Sequence, residues 1–269
     1  MTTYFNNFFT KYYAILKVNL HNSSLYKSEF IIMTLRNIFV LVIFVQLYTA
    51  TFASTPIKKF DNLGLMQVLW LLTIIRMFAQ DWTTITLMNN EIRSGEIAYT
   101  INRPYSYILF HYASFWGRNL PKIFVDVTSN LIAGYFLIGP LYIPVKIIIL
   151  CLFMIIIGLT IEFLIQIIIG VLSFWLEDVT ALKWVFGKTV TILGGGIIPI
   201  AMYPQKLKAI LEFLPFINIY YNPARLAVDF NYQLFIKCLV LQLFWLLIIS
   251  ILALALFKKG IKNVSISGG

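Results

Sequence analysis

Residues 146–175 read KIIILCLFMIIIGLTIEFLIQIIIGVLSFW, an apolar run in which Glu162 is the only acidic residue and Lys146 the only basic one. A helix that crosses the hydrocarbon core of a bilayer needs about 20 mostly apolar residues, and this run exceeds that length. Working outward, residues 30–52, 63–87, 115–138, 182–200 and 234–257 repeat the pattern with short polar connections between them. The expected fold class is therefore an all-α integral membrane protein with six transmembrane helices.

Composition agrees. The chain of 269 residues is 60% hydrophobic and 12% charged, above the roughly 45 to 50% apolar content of soluble domains, so the expectation is a single membrane domain over 1–269. The first 29 residues are aromatic and polar, without a compact apolar core leading to a cleavage site, and no signal peptide is expected there. Cys151 and Cys238 fall inside spans, where a small thiol packs as a hydrophobe and a disulfide framework is not expected. The net charge of +10 is dispersed among the connections without a dense basic and aromatic patch. That excludes nucleic acid as the expected partner and favours the anionic surface of a membrane, worth about 1 kcal/mol per basic residue. Lys and Arg are more frequent on the side shared with the N-terminus, which places both termini in the cytoplasm and makes a bacterial inner membrane the expected location.

The connections carry further signals. Phe5, Phe8, Phe9, Tyr12, Leu16 and Leu20 recur at helical spacing, so 1–29 reads as an amphipathic segment that either lies in the membrane interface or packs on the bundle. Between the second and third spans, 88–114 is the most polar stretch. Within it 89–103 reads as a short amphipathic helix ending before Pro104, because the residue before a proline disfavours helical geometry. After the fifth span, Gly194 to Gly196, Pro199, Pro204, Pro215 and Pro223 break the chain, and 201–233 is expected to form a re-entrant or interfacial helical hairpin on the outer side. Irregular backbone at membrane depth survives only where protein or a watery cavity satisfies it.

Motifs for chemistry are missing. His21 and His111 lie apart, with no HExxH and no Cys/His cluster at metal-ligand spacing. Gly187-Lys188-Thr189 resembles the end of a phosphate loop, but Leu182 stands where its first glycine belongs, so no nucleotide site is expected on this chain.

Ionisable groups inside a bilayer are expensive and mark functional or structural pairs. Arg36, Arg76, Asp81, Asp126 and Glu162 fall within spans. In the third span Arg118, Lys122, Asp126, Asn130 and Gly134 step by four, and in the fourth Gly158, Glu162, Gln166 and Gly170 do the same, so each stripe is expected to face protein. Depth estimated from the rise of about 1.5 Å per residue predicts two interhelical pairs, Arg76 with Asp126 and Arg36 with Glu162.

Two stretches carry a family resemblance. Glu91-Ile92-Arg93-Ser94-Gly95-Glu96-Ile97, followed by Arg103-Pro104-Tyr105-Ser106, is similar to the cytoplasmic segment of permease subunits of ATP-binding-cassette (ABC) exporters of the second exporter type. Gly195-Gly196-Ile197-Ile198-Pro199, running through Tyr203-Pro204, Leu214-Pro215-Phe216 and Asn222-Pro223, resembles that family's last periplasmic hairpin. The resemblance implies that 89–103 is a coupling helix docking on a separate ATPase through Glu91, Arg93, Glu96 and Arg103, with Gly95 allowing close approach. It further implies that the amphipathic N-terminal helix lies at the same interface and that two permeases, identical or related, form one transporter. ATP and magnesium are then expected on the partner ATPase and no cofactor on this chain, and the substrate is expected to be amphipathic or lipid-like. The rival readings are an ion- or proton-coupled carrier using Asp126 or Glu162, an intramembrane enzyme, and a scaffold that transports nothing. Inverted repeats would favour the carrier, and none is visible.

Overall fold

A computed structural model gives the fold and describes residues 2–25, 27–54, 62–78, 82–198 and 200–262. Asp81 and Pro199 lie outside the described residues, as do the side chains of Phe5 and Phe8. Among the described residues every regular element is helical. Three helices among them are long and apolar enough to cross a membrane: α2 (Lys27–Ser54), α7 (Val145–Val171) and α12 (Tyr232–Ile261).

A further long helix, α6 (Tyr107–Leu137), of 31 residues, carries the charged stripe. Pro121 sits inside it and has no N–H to donate to the carbonyl of Gly117. Ser23 Oγ at the end of α1 (Thr2–Ser24) donates to that carbonyl instead, at 3.4 Å. A Cβ on Gly117 would come within 2.5 Å of the Leu16 carbonyl oxygen and 2.7 Å of Asn19 Cβ, so the glycine is what lets α1 lie along α6. Asn19 Nδ2 donates to Ser114 Oγ at 3.3 Å. The N-terminal helix is thus a bundle-packed element on one face, while Phe9, Tyr13 and Val18 stay exposed on the other.

Two expected spans are shorter than their hydropathy predicts. The stretch 63–87 is not one helix: α3 (Asn62–Phe78) ends, Trp82 adopts φ −98° and ψ 26°, and α4 (Thr83–Arg93) begins. The cause is tertiary. Trp82 Nε1 donates to Glu162 Oε1 of α7 at 3.4 Å, and its ring occupies the space over Gly187, where a Cβ would be 1.9 Å from Trp82 Cη2. The stretch 182–200 likewise forms α8 (Thr180–Leu193), 14 residues or about 21 Å. It stops at Gly194, whose Cβ would be 2.5 Å from Tyr220 Cδ2, and at Gly195, with φ +78°.

The expected amphipathic helix over 89–103 is also divided. Its first part is the end of α4, its second is α5 (Ile97–Ile101), and Gly95 at φ +75° makes the turn between them. Left-handed backbone suits glycine because it lacks a Cβ. In 201–233 the chain forms three short helices, α9 (Gln205–Leu211), α10 (Pro215–Ile219) and α11 (Tyr221–Val228), in place of a simple hairpin. They are deeply seated: Ile217, Ile219, Tyr220, Tyr221, Ala224 and Leu226 are buried. Pro204 and Pro215 precede or open α9 and α10, where a missing N–H costs nothing, and Pro223 lies buried in the first turn of α11.

Candidate functional site

The polar segment between α3 and α6 builds a short finger. Ser94 N–H donates to the Asn90 carbonyl at 2.9 Å and Gly95 N–H to that of Ile92 at 3.3 Å, which closes α4. Ile97 and Thr100 turn inward, whereas Arg93, Ser94, Gly95, Glu96, Asn102, Arg103 and Pro104 are exposed. Tyr99, which sequence reasoning passed over, is 77% exposed at the tip. A large exposed aromatic among charged residues is the composition of a protein-binding hot spot. The base is braced by α1: Lys11 Nζ donates to the Pro104 carbonyl at 3.2 Å, and the Ser106 N–H donates to Tyr12 Oη at 3.0 Å. The loop between α7 and α8 lies alongside. Asp178 there is held below the usual carboxylate range by hydrogen bonds from Thr180, with the charge of Arg93 adding to the effect.

Glu91, expected as an ATPase contact, is partly buried. Its side chain turns inward to α6, where Tyr107 Oη donates to Oε2 at 2.5 Å and His111 Nε2 lies 3.3 Å from the same oxygen. Burial pushes the Glu91 carboxyl up, but the hydrogen bonds from His111 and Tyr107 and the charge of Arg103 outweigh it and leave it below its ordinary value. The Tyr107 hydroxyl is driven far up, by burial first and then by the adjacent carboxylate. Tyr107 and His111 are one helical turn apart, and that spacing, with a carboxylate at the end of the preceding helix, was the available sequence signal.

The rest of α4 is tied to α6, to α8 and to the turn after α7. Arg118 Nη2 of α6 donates to Thr84 Oγ1 at 3.1 Å, and Lys183 Nζ of α8 donates to Thr86 Oγ1 at 2.6 Å. Ser173 Oγ, in a single 3-10 turn after α7, donates to Asn89 Oδ1 at 2.9 Å. Met88 packs over Gly170 of α7, where a Cβ would come within 2.8 Å of its sulfur.

The two charge stripes do face protein, but the expected pairs are replaced. Asp126 is joined to Asn37 of α2, which donates its amide hydrogen, and Arg36 and Lys122 are the cations whose charge reaches it. Lys122 also pairs with Glu29 at 3.0 Å. Arg76 forms no ion pair with Asp126. Its Nη1 donates to the Gly196 carbonyl at 3.4 Å and its guanidinium sits 5.2 Å from the Phe44 ring centroid. Arg36 stands with Asn37 and Asp126, and Glu162 Oε1 accepts a hydrogen bond from Trp82. The depth estimate assumed a straight second span. Because α3 ends at Phe78, Arg76 lies in its last turn, where a cation also complements the negative end of the helix dipole.

Of the glycines and prolines expected in the outer hairpin, Gly195 and Gly196 end α8 beside Ile200 and Arg76. Among the described residues no group of three His, Cys, Asp or Glu is placed to hold a metal ion.

The ABC-2 family transporter protein profile matches residues 39–268, and the chain belongs to that family. It is accordingly an integral membrane protein, a permease component of an ABC transporter that works with a separate ATPase. Among curated proteins none matches the chain.

Proposed function

We propose that this chain is the membrane-spanning subunit of an ATP-driven exporter that moves an amphipathic or lipid-like substrate. Six crossings are assigned to α2, to 63–87 across α3 and the start of α4, to the 115–137 portion of α6, and to α7, α8 and α12, with both termini and the finger at 93–104 in the cytoplasm. Two such subunits, identical or related, line the path, and ATP with magnesium binds on the partner ATPase. The family match over 39–268 carries this reading.

The mechanism is mechanical. The exposed edge formed by Arg93, Gly95, Glu96, Tyr99, Arg103 and Pro104 meets the ATPase. Closure of the nucleotide subunits displaces that edge, and α4 passes the motion to α6, α7 and α8 through the bonds at Thr84, Thr86 and Asn89. The seam between the two permeases then opens. The broken stretch 201–233 and the few charges inside the spans suit a lipid-accessible path, with Gly195, Gly196, Pro204, Pro215 and Pro223 shaping its outer end.

The test is copurification. Wild type should bring down an ABC ATPase, and the double variant Arg93→Ala, Glu96→Ala should retain less than about a tenth of it, since hot-spot truncations cost about 2 kcal/mol or more. Equal recovery by both would remove these side chains from the interface. Stimulation of the copurified ATPase in nanodiscs by lipids and amphiphiles, and not by hydrophilic solutes, is the expected substrate profile.

A further inference from the structure

We infer that Glu91, Tyr107 and His111 form an internal clasp that transmits movement of the finger to α6, so that Glu91 is a positioning residue and not an ATPase contact. The inference rests on the coupling role proposed above and assigns a function to residues on its inner side.

The clasp closes the loop 92–106 at its base. Glu91 is the third residue from the end of α4, and Tyr107 opens α6, so the hydrogen bond of 2.5 Å joins the two ends of the finger directly. His111, 1% exposed, approaches the same carboxylate oxygen from the next turn of α6. The Nε2 side of the ring faces the carboxylate, and Nδ1 has no hydrogen-bond partner among the described residues. Aromatic packing holds the group in place. The Tyr107 ring stacks on Phe257 of α12 at 5.2 Å, and Phe110 meets the His111 ring edge-on at 5.3 Å. A carboxylate bonded to two groups in a mostly dry site is a stiff connection, because hydrogen bonds to charge strengthen where the dielectric is low. The exposed charges around it, Glu96 and Arg103, act on the pair electrostatically without joining it.

A push on Arg93 or Tyr99 therefore reaches α6 at its first residue and α12 through Phe257. Without the clasp, the Gly95 turn and α5 would absorb the same push. Docking and transmission thus fall on different residues: the outer edge binds, and the inner clasp carries the load.

Two measurements test this. In the purified permease, thermal unfolding of Glu91→Ala, Tyr107→Phe and the double variant forms a cycle that needs no ATPase. The double variant should unfold at about the temperature of Glu91→Ala alone, because both changes remove one bond; additive losses overturn the clasp. In the assembled complex in nanodiscs, Tyr107→Phe should keep wild-type recovery of the ATPase and an unchanged KM for ATP, while kcat for ATP hydrolysis changes about tenfold, the equivalent of one charged hydrogen bond. An unchanged kcat overturns the transmission role, and loss of ATPase from a folded Glu91→Ala variant makes Glu91 a docking residue after all. A wild-type permease that recovers no ATPase overturns the function and, with it, transmission, while the unfolding cycle still decides the clasp.

Discussion

Asp126 and Glu91 illustrate what a single carboxylate requires in this chain. Asp126 is buried against Asn37, and leaving a buried acceptor without its donor costs about 1–3 kcal/mol. Asn37→Leu should lower the unfolding temperature of the detergent-purified protein, whereas the exchange Asn37→Asp with Asp126→Asn should recover most of the loss. Exchanging Arg76 with Asp126 should rescue nothing, since Arg76 bonds to Gly196. Glu91 makes a pH prediction. Its folded value lies below its unfolded value of about 4.3, so its contribution is full above that pH and is lost as pH falls through the lower folded value. The unfolding-temperature gap between wild type and Glu91→Gln should be constant above about pH 4.3 and close below it. A gap that widens in acid would contradict the assignment. Asn37 was not legible as a partner in sequence: spacing placed Asp126 on an inward stripe, but which helix faced that stripe depended on packing between distant segments.

At the scale of the element, α7 was readable because one unbroken apolar run has no other use, and its stripe faces protein as its spacing suggested. Gly158 abuts Ile219, and Glu162 and Gln166 are buried. The division of 63–87 into α3 and α4 was not readable, because no proline or glycine marks it. Trp82 leaves the helix to sit between Glu162 and Gly187, and hydropathy assigns a tryptophan to a span either way. The consequence is a lever, α4, that is separate from the helix before it. Gly187→Val should displace Trp82 and destabilise the purified protein by about 1–3 kcal/mol, seen as a lower unfolding temperature. Gly139, where an added Cβ would meet no atom within 4 Å but φ is +115°, should respond to substitution through backbone strain alone. The finger was half legible: its polar composition and Gly95 were evident, but the turn that divides it came from the φ of one glycine.

For the whole molecule, composition and six apolar stretches led to an all-helical membrane protein, and membership of the ABC-2 transporter family followed from residues 39–268. Among the described residues three helices meet the length and apolarity of a span unaided. The others are shortened by α8 stopping at its glycines or charged along α6, and both departures serve buried contacts that hydropathy does not measure. The account depends on the finger facing the cytosol, where an ATPase can reach it. Tyr99→Cys places a thiol at an exposed position of the finger, while the native Cys151 and Cys238 are buried. A membrane-impermeant maleimide should leave this cysteine unmodified in intact cells and label it in inverted vesicles stripped of ATPase, with readdition of the ATPase protecting it. Labelling in intact cells would place the finger on the wrong side of the membrane and contradict the account.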